Sequence, residues 1–503
     1  MQLHYKKIGR GTTIFLFSGH FILKSLFYKS IIHINGGYME QVKKKKYQMD
    51  MCNGNLFIKI IKFCIPLTLM GMLQLFYNAA DLIVVSNFSS DKEALGAVGS
   101  TSSIINLTVN LFMGLSVGAN VVCAKLFGAK KYDKMSEVVH TSILSSLFIG
   151  IFLAIFGIIF AKDLLHLMNN DLELSKIYLQ IYFIGMPFNM VYNFAASILR
   201  AVGDTKRPLY FLTISGIVNV LLNLLLVIVF DMSVSGVAIA TVASQVISCI
   251  LILHTMIKTD ECYKLSLNKL KINKKALLEI TKIGLPAGIQ SSIFSISNVL
   301  IQSSVNRFGE VVMNGNTAAT SVEGFVYVAM NSVYHASLAF TSQNVGARKI
   351  KNIKKVAIYS LIIVTIISVF LGGTLFLLGK QALSIYTTSP DEIAVGYIRL
   401  HYLCLPYFLC GIMDVMVGCL RGLGSSTVPM IVSIIGVCGF RVAWIFLVFT
   451  PNTSFIDYND LNLLFISYPI SWIITFITHC ICYFFVSRKR FKEINYELSL
   501  RTI

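Results

Sequence analysis

The sequence predicts an all-α integral membrane protein, with twelve transmembrane helices in two six-helix lobes related by a pseudo-twofold axis along the membrane normal. Three observations predict it. Of 503 residues, 55% are hydrophobic and 13% charged, with a mean hydropathy of +0.72, whereas a soluble domain carries roughly 25% charged residues. The apolar residues gather in twelve runs, each near the ~20 residues that cross a bilayer. The same pattern of residues then occurs twice, about 220 residues apart, as in transporters built from internal repeats.

The repeat is specific. Ile65-Pro66 returns as Leu285-Pro286, and Gly128-Ala129-Lys130-Lys131 as Gly346-Ala347-Arg348-Lys349. Pro187, Leu199-Arg200, Gly203 and Pro208 return in order as Pro406, Leu420-Arg421, Gly424 and Pro429. Such repeats are a recurring build of secondary transporters, with the substrate site at the lobe interface. Six spans per half is an even number, so both halves enter from the same side and the axis lies along the normal rather than in the membrane plane.

Residues 1–54 form a basic N-terminal extension, expected to be disordered and cytoplasmic. Ile14 to Leu23 is too short to span, and no Ala-x-Ala-like site follows it. Met39, Met49 and Met51 are alternative starts, so the first ~48 residues read as an upstream extension of the frame. The N-lobe, 55–257, holds spans at 57–87, 95–122, 137–160, 176–199, 208–230 and 236–257. A basic cytoplasmic linker follows at 258–277. The C-lobe, 278–487, holds spans at 278–305, 315–340, 356–378, 394–420, 427–449 and 462–486, before a cytoplasmic tail at 488–503. Pro66 and Pro286 sit in long first and seventh spans, where bending is expected.

Loop charge alternates along this scheme. Lys43 to Lys46, Lys125 to Lys134, Arg200 to Arg207, Lys258 to Lys275, Arg348 to Lys355, Arg421 and Arg488 to Arg490 mark every second loop. The others are acidic or balanced, with Asp91 and Glu93, Asp163 and Asp171, Asp231, Asp391 and Glu392, and Asp457 and Asp460. The positive-inside rule then places both termini in the cytoplasm of a cell whose inner (plasma) membrane holds the chain. The net charge of +19 lies in these clusters beside anionic lipid, so nucleic acid is not expected as a partner.

Few polar groups interrupt the spans. Gln74, Asn78 and Asp81 share one face of span one. A carboxylate in a membrane span must face the protein interior or a water-filled cavity. Asp81 is therefore the leading candidate for a coupling-ion site, as an oxygen ligand of a small hard cation or as a proton carrier. Asn pairs at i,i+4, including Asn219 and Asn223, read alone as helix–helix hydrogen bonds. In the second half, Gln290, Asn298, Glu323, Tyr327 and Asp414 are candidates for a central cavity. A buried Asp414–Arg441 pair holding the lobe together is an equally good reading of those charges. None of the 11 Cys forms a CxxC pair, and His479-Cys480 with Cys482 has no partner cluster, so neither a disulfide nor zinc is expected.

The ordered set of motifs resembles the multidrug and toxic compound extrusion (MATE) family. Ile65-Pro66, the stretch from Gln74 to Asp81, Ala94 to Gly99, Leu115 to Asn120, Leu199-Arg200 with Gly203-Asp204-Thr205, Glu323-Gly324-Phe325 and Thr341 to Ala347 carry the resemblance over 55–490. It implies two six-helix lobes around a V-shaped cleft and export of amphipathic, often cationic, organic compounds in exchange for inward Na+ or H+. It also implies that Asp81 couples the cation and that Asn219 and Asn223 complete that site. A seventh-span glutamate of some relatives is replaced here by Gln290, Ser291 and Ser292, which counts against a sodium site of that type in the C-lobe.

Two other readings stand beside it. A lipid-linked precursor flippase or polysaccharide exporter shares the superfamily architecture but calls for a cationic cavity, and Arg441 reads as the one clear central base. An intramembrane enzyme would need a convergent catalytic set, which scattered His335, His401 and His479 do not supply. No Walker A motif is present. The chain is therefore expected to be no enzyme, to work as a monomer, and to need no cofactor beyond the coupling ion.

Overall fold

The computed structural model describes residues 47–89, 94–166, 172–449 and 459–500. Twelve helical segments follow one another among them. The first half holds α1 (Leu56–Phe88), α2 (Ala94–Gly128), α3 (Tyr132–His166), α4 (Glu173–Ile184, then Met186–Ala201), α5 (Lys206–Leu224, ending in a π-helical turn Leu225–Val229) and α6 (Ser233–Lys258). The second holds α7 (Lys274–Asn306), α8 (Glu310–Gly346), α9 (Ile350–Leu383) and α10 (Pro390–Cys404, then Tyr407–Gly422). It ends with α11 (Thr427–Ser433, a π-helical turn Ile434–Gly439, then Phe440–Leu447) and α12 (Asn459–Phe465, then Ser467–Ser499).

Nine of these segments are each long and apolar enough to cross a membrane, and a tenth is α10, whose two pieces bend by 51°. The other two are α4, which is interrupted, and α8, which is continuous but polar. α4 breaks at Gly185, ahead of Pro187, and α10 breaks at the equivalent place ahead of Pro406. A proline cannot donate its backbone N–H and crowds the preceding turn, so the helix restarts there. α8 is 37 residues long but carries many Asn, Ser and Thr on its buried side. Large apolar side chains such as Phe370, Leu377, Phe446 and Leu447 stand exposed on the outside, the mark of a chain solvated by lipid rather than water.

The repeat is also written in the backbone. Lys130 and Arg348 take left-handed conformations at φ 56° and 58°, and Gly203 and Gly424 at 91° and 95°. Each pair closes its helix with the same hydrogen bonds. Lys131 N–H donates to the Leu126 carbonyl and Lys349 N–H to that of Asn344, while Asp204 and Ser425 donate to Leu199 and Leu420. Two copies of one six-helix design therefore stand side by side.

The lobes meet where backbones approach most closely. A Cβ on Gly114 would lie 2.0 Å from the Gly288 nitrogen, and one on Gly118 2.2 Å from the Ile280 carbonyl oxygen. Gly284 and Gly288 on α7 thus interlock with Gly114 and Gly118 on α2, with small residues every fourth position on both helices. The matching crossing of α1 with α8 is bridged instead by a hydrogen bond from Thr68 to Ser332, 2.9 Å. At the end where the basic loops lie, Gly128 abuts Gln343 and Gly346 abuts Lys125. The basic face is closed.

Residues 47–53 reinforce this closure. This part of the N-terminal extension is built into the fold, and Met51 is fully buried. Met49 N–H donates to the Val202 carbonyl of the N-lobe, and Gln48 to Glu261 of the linker. The carbonyls of Met51 and Cys52 accept from Asn344 and Asn352 of the C-lobe at 2.9 and 2.8 Å. Backbone N–H and carbonyl groups of this segment thus find partners in both lobes, which outweighs the disorder expected from its charge. Residues 1–46 lie outside the described residues.

Candidate functional site

The first candidate site is in the N-lobe. α1 passes beside α5 because Gly216 has no side chain: a Cβ there would lie 1.8 Å from the Tyr77 ring. Tyr77 sits one turn before Asp81, and Gly216 one turn before Asn219, so this close approach sets the register of the polar groups beyond it. Asn223 donates to one oxygen of Asp81, and Thr241 of α6 donates to the other at 3.4 Å. Asn219 accepts from Asn223 at 3.4 Å and donates to Thr241 at 3.5 Å. Asn219 and Asn223 are 4% and 0% exposed, so the carboxylate is held by amides inside an apolar bundle.

The electrostatics of this site decide its chemistry. Among the described residues, Asp81 has two neutral donors and no Lys or Arg partner. The Asn223 Oδ1, beside the carboxylate, is buried and accepts no hydrogen bond. An ionised carboxylate so placed is costly unless a cation or a proton joins it. Carboxylate, amide and hydroxyl oxygens suit a small hard cation. Asp81, Asn219 and Asn223, singled out in the sequence, are brought together; Thr241 is an addition that a lone helical threonine did not announce.

The second candidate site is a cavity of about 550 Å³ between the lobes. Gln74, Gln290, Asn298, Tyr327 and Asp414, all among the sequence's candidates for a substrate cavity, line it together with Asn110, Tyr192, Phe294, Tyr334 and His335. Gln74 lies two turns before Asp81, so α1 links cavity and acid site over about 10 Å at 1.5 Å per residue. Asn78, between them, is exposed on α1 and does not line the cavity.

Glu323 does not reach the cavity either. It is 7% exposed and forms a buried ion pair with Arg399 of α10. Arg399 also donates to Asn316 at 2.8 Å and lies 5.6 Å from the Phe465 and Tyr468 ring centroids, tying α8, α10 and α12 together. The buried pair that Asp414 and Arg441 could equally have formed is made by other residues. Arg441 donates to Ser471 at 3.0 Å and stacks 3.9 Å over Tyr468, away from the cavity.

The bases of the cavity are Arg200 and Arg421. Their place in the sequence suggested loop anchors, but α4 and α10 continue to Ala201 and Gly422 and carry both inward. Arg421 donates to Tyr334 at 2.5 Å and to Gln290 at 2.8 Å, and Arg200 donates to Ser197 at 2.7 Å. The readable signal was the identical Leu–Arg at one place in both halves.

Comparison with known proteins places this geometry. The MatE family profile matches residues 66–225 and 286–447, one stretch in each half. Among curated proteins, the probable multidrug resistance protein YoeA of Bacillus subtilis is 26% identical over 442 residues, covering 85% of this chain and 93% of its own. The multidrug export protein MepA of Staphylococcus aureus is 21% identical, covering 76% and 84%. Among solved structures, a multidrug resistance MATE family transporter of the MOP superfamily in an outward-facing conformation superposes with a TM-score of 0.80 at 21% identity, over 90% of this chain and 100% of the other.

Proposed function

The chain belongs to the MatE family, and we propose that it is a secondary active multidrug efflux transporter that exchanges amphipathic organic compounds for inward-moving H+ or Na+ by alternating access. The fold is that of a multi-pass membrane transporter. The observation that carries the coupling is Asp81: a carboxylate inside the N-lobe with amide and hydroxyl donors but no basic partner. The charge of such a group is stabilised when a cation or a proton joins it, which ties its state to ion or proton binding.

The rest of the reading follows from where the groups sit. Substrate occupies the interlobe cavity, where Tyr327, Phe294 and Tyr334 offer aromatic faces and Asp414 offers a charge for a cationic group. The closed basic face is the cytoplasmic face of the inner membrane, so the described state is shut towards the cytoplasm. An ion at Asp81 acts through α1, which passes from that site along the cavity wall. Ion and substrate need only prefer different states for one to drive the other. The chain acts as a monomer and needs no cofactor other than the ion.

The test is transport of a cationic dye by everted vesicles. An imposed Na+ gradient at clamped pH is compared with an imposed pH gradient in Na+-free buffer. Efflux driven by one of them supports the antiporter. Efflux driven by ATP alone, with both gradients collapsed, overturns it.

A further inference from the structure

Arg200 and Arg421 hold the same position in the two repeats, each just before a left-handed glycine, Gly203 and Gly424. Both line one cavity from opposite lobes. Among the described residues neither guanidinium has a carboxylate within ion-pair distance: their partners are hydroxyls and an amide. Arg421 is 5% exposed, and the Nε atoms of both arginines are buried with no acceptor. The single acid of the cavity, Asp414, lies two turns before Arg421 on α10, about 10 Å away along the helix.

A buried guanidinium without an anion is costly. Resting on the efflux reading above, we propose that the cavity floor between Arg200 and Arg421 is an oxyanion site. It takes the carboxylate, sulfonate or phosphate of an amphiphile whose apolar body lies against Tyr327 and Phe294. A cationic group on the same molecule meets Asp414 above. The substrates favoured are then zwitterionic or acidic amphiphiles rather than simple cations. Guanidinium suits the task because its planar fork donates two parallel hydrogen bonds to an oxyanion.

The test uses a matched pair of probes: a zwitterionic xanthene dye with one free carboxylate, and its methyl ester, a plain cation of nearly the same shape. Binding to the purified full chain in nanodiscs is read by fluorescence anisotropy, and export by proteoliposomes alongside. The wild-type chain is expected to bind the acid about tenfold more tightly than the ester, the ratio given by one charge-assisted hydrogen bond. Arg200→Gln with Arg421→Gln is expected to abolish that preference, with binding of the cationic ester kept or tightened because two positive charges have left the cavity; a thermal unfolding midpoint near that of the wild-type chain shows that the variant is folded.

Equal wild-type affinity for acid and ester overturns the oxyanion site and leaves efflux standing, and this comparison needs no variant. A double variant that keeps the acid preference also overturns it. A wild-type chain that neither binds nor exports either dye removes both readings. Short-chain phosphatidic acid as competitor identifies the source of the oxyanion: displacement of the acid dye shows that a lipid phosphate occupies the floor, and no displacement shows a soluble organic anion. Either result supports the site.

Discussion

Asn223 of α5 donates its side-chain amide to the Asp81 carboxylate of α1, joining two helices across 142 residues of sequence. The carboxylate thereby stays fixed without being neutralised. Asp81→Asn keeps size and hydrogen bonding but removes charge and titration. The expected outcome is loss of ion-driven dye efflux in everted vesicles with the protein level largely kept. Unchanged efflux at matched protein level would remove Asp81 from the mechanism.

The packing behind that site should matter as much as its polar atoms. Gly216 lets the Tyr77 ring lie directly on α5. Gly216→Leu must move α5 away from α1 and separate Asn219 and Asn223 from Asp81, although no ligand atom is changed. We expect coupled efflux to fall at least about tenfold, as displacement of a positioned group by ~1 Å does in enzymes. Wild-type efflux in a Gly216→Leu chain would show that α5 does not position the acid.

The C-lobe pair calls for a different outcome. Glu323 and Arg399 are both buried, and removing one partner strands the other charge at a cost of about 3–5 kcal/mol. Glu323→Gln and Arg399→Met alone should each lower the midpoint of thermal unfolding in detergent, whereas the double variant should recover most of the loss. A role in ion coupling predicts the reverse: normal unfolding and lost efflux in Glu323→Gln.

The contrast between these two acids shows what was legible in the sequence. Asp81 was readable because a carboxylate among Leu, Ile and Val has few physical explanations, and because Asn219 and Asn223 recur at i,i+4. Glu323 looked alike, but its meaning depended on Arg399, 76 residues away and near the acidic pair Asp391 and Glu392. Which helix faces which is set by tertiary packing, and no local pattern encodes it. Arg200 and Arg421 failed for another reason. They adjoin basic loops, so the charge pattern that correctly marks helix ends also absorbed two residues that point inward. The twelve spans and the repeat were legible because membrane length and proline–glycine punctuation act locally.

The strap at residues 47–53 yields a truncation series. A chain beginning at Met39 keeps every contact of the strap and should export dye as the full chain does. A chain beginning at Asn55 after an initiator methionine loses the bridges from Met49, Met51 and Cys52 to both lobes. It should still insert, since α1 begins at Leu56, but the basic face should open more often. Alkylation of an introduced cysteine at Ala129, behind the Gly128–Gln343 contact, reports that opening. Equal labelling of the two chains would show that the strap does not hold the face shut.

The glycine interlock supplies the last prediction, because it separates binding from alternation. Gly114 and Gly288 meet backbone to backbone, leaving no room for a Cβ. Gly114→Val adds a branched side chain at that crossing and should prevent α2 and α7 from closing on the basic side. The expected protein is one biased towards the state open at that face, with faster alkylation at position 129 and slow or no net efflux. Its ion site, built from α1, α5 and α6 alone, remains intact. Reciprocity then fixes a further result. If the ion prefers the state closed at the basic face, Gly114→Val must weaken ion binding by the factor by which the ion would have favoured that state. Ion-induced quenching of an introduced tryptophan near Thr241 measures it. An unchanged ion affinity, in a variant whose alkylation shows the face open, would mean that the ion does not distinguish the two states and cannot drive their exchange.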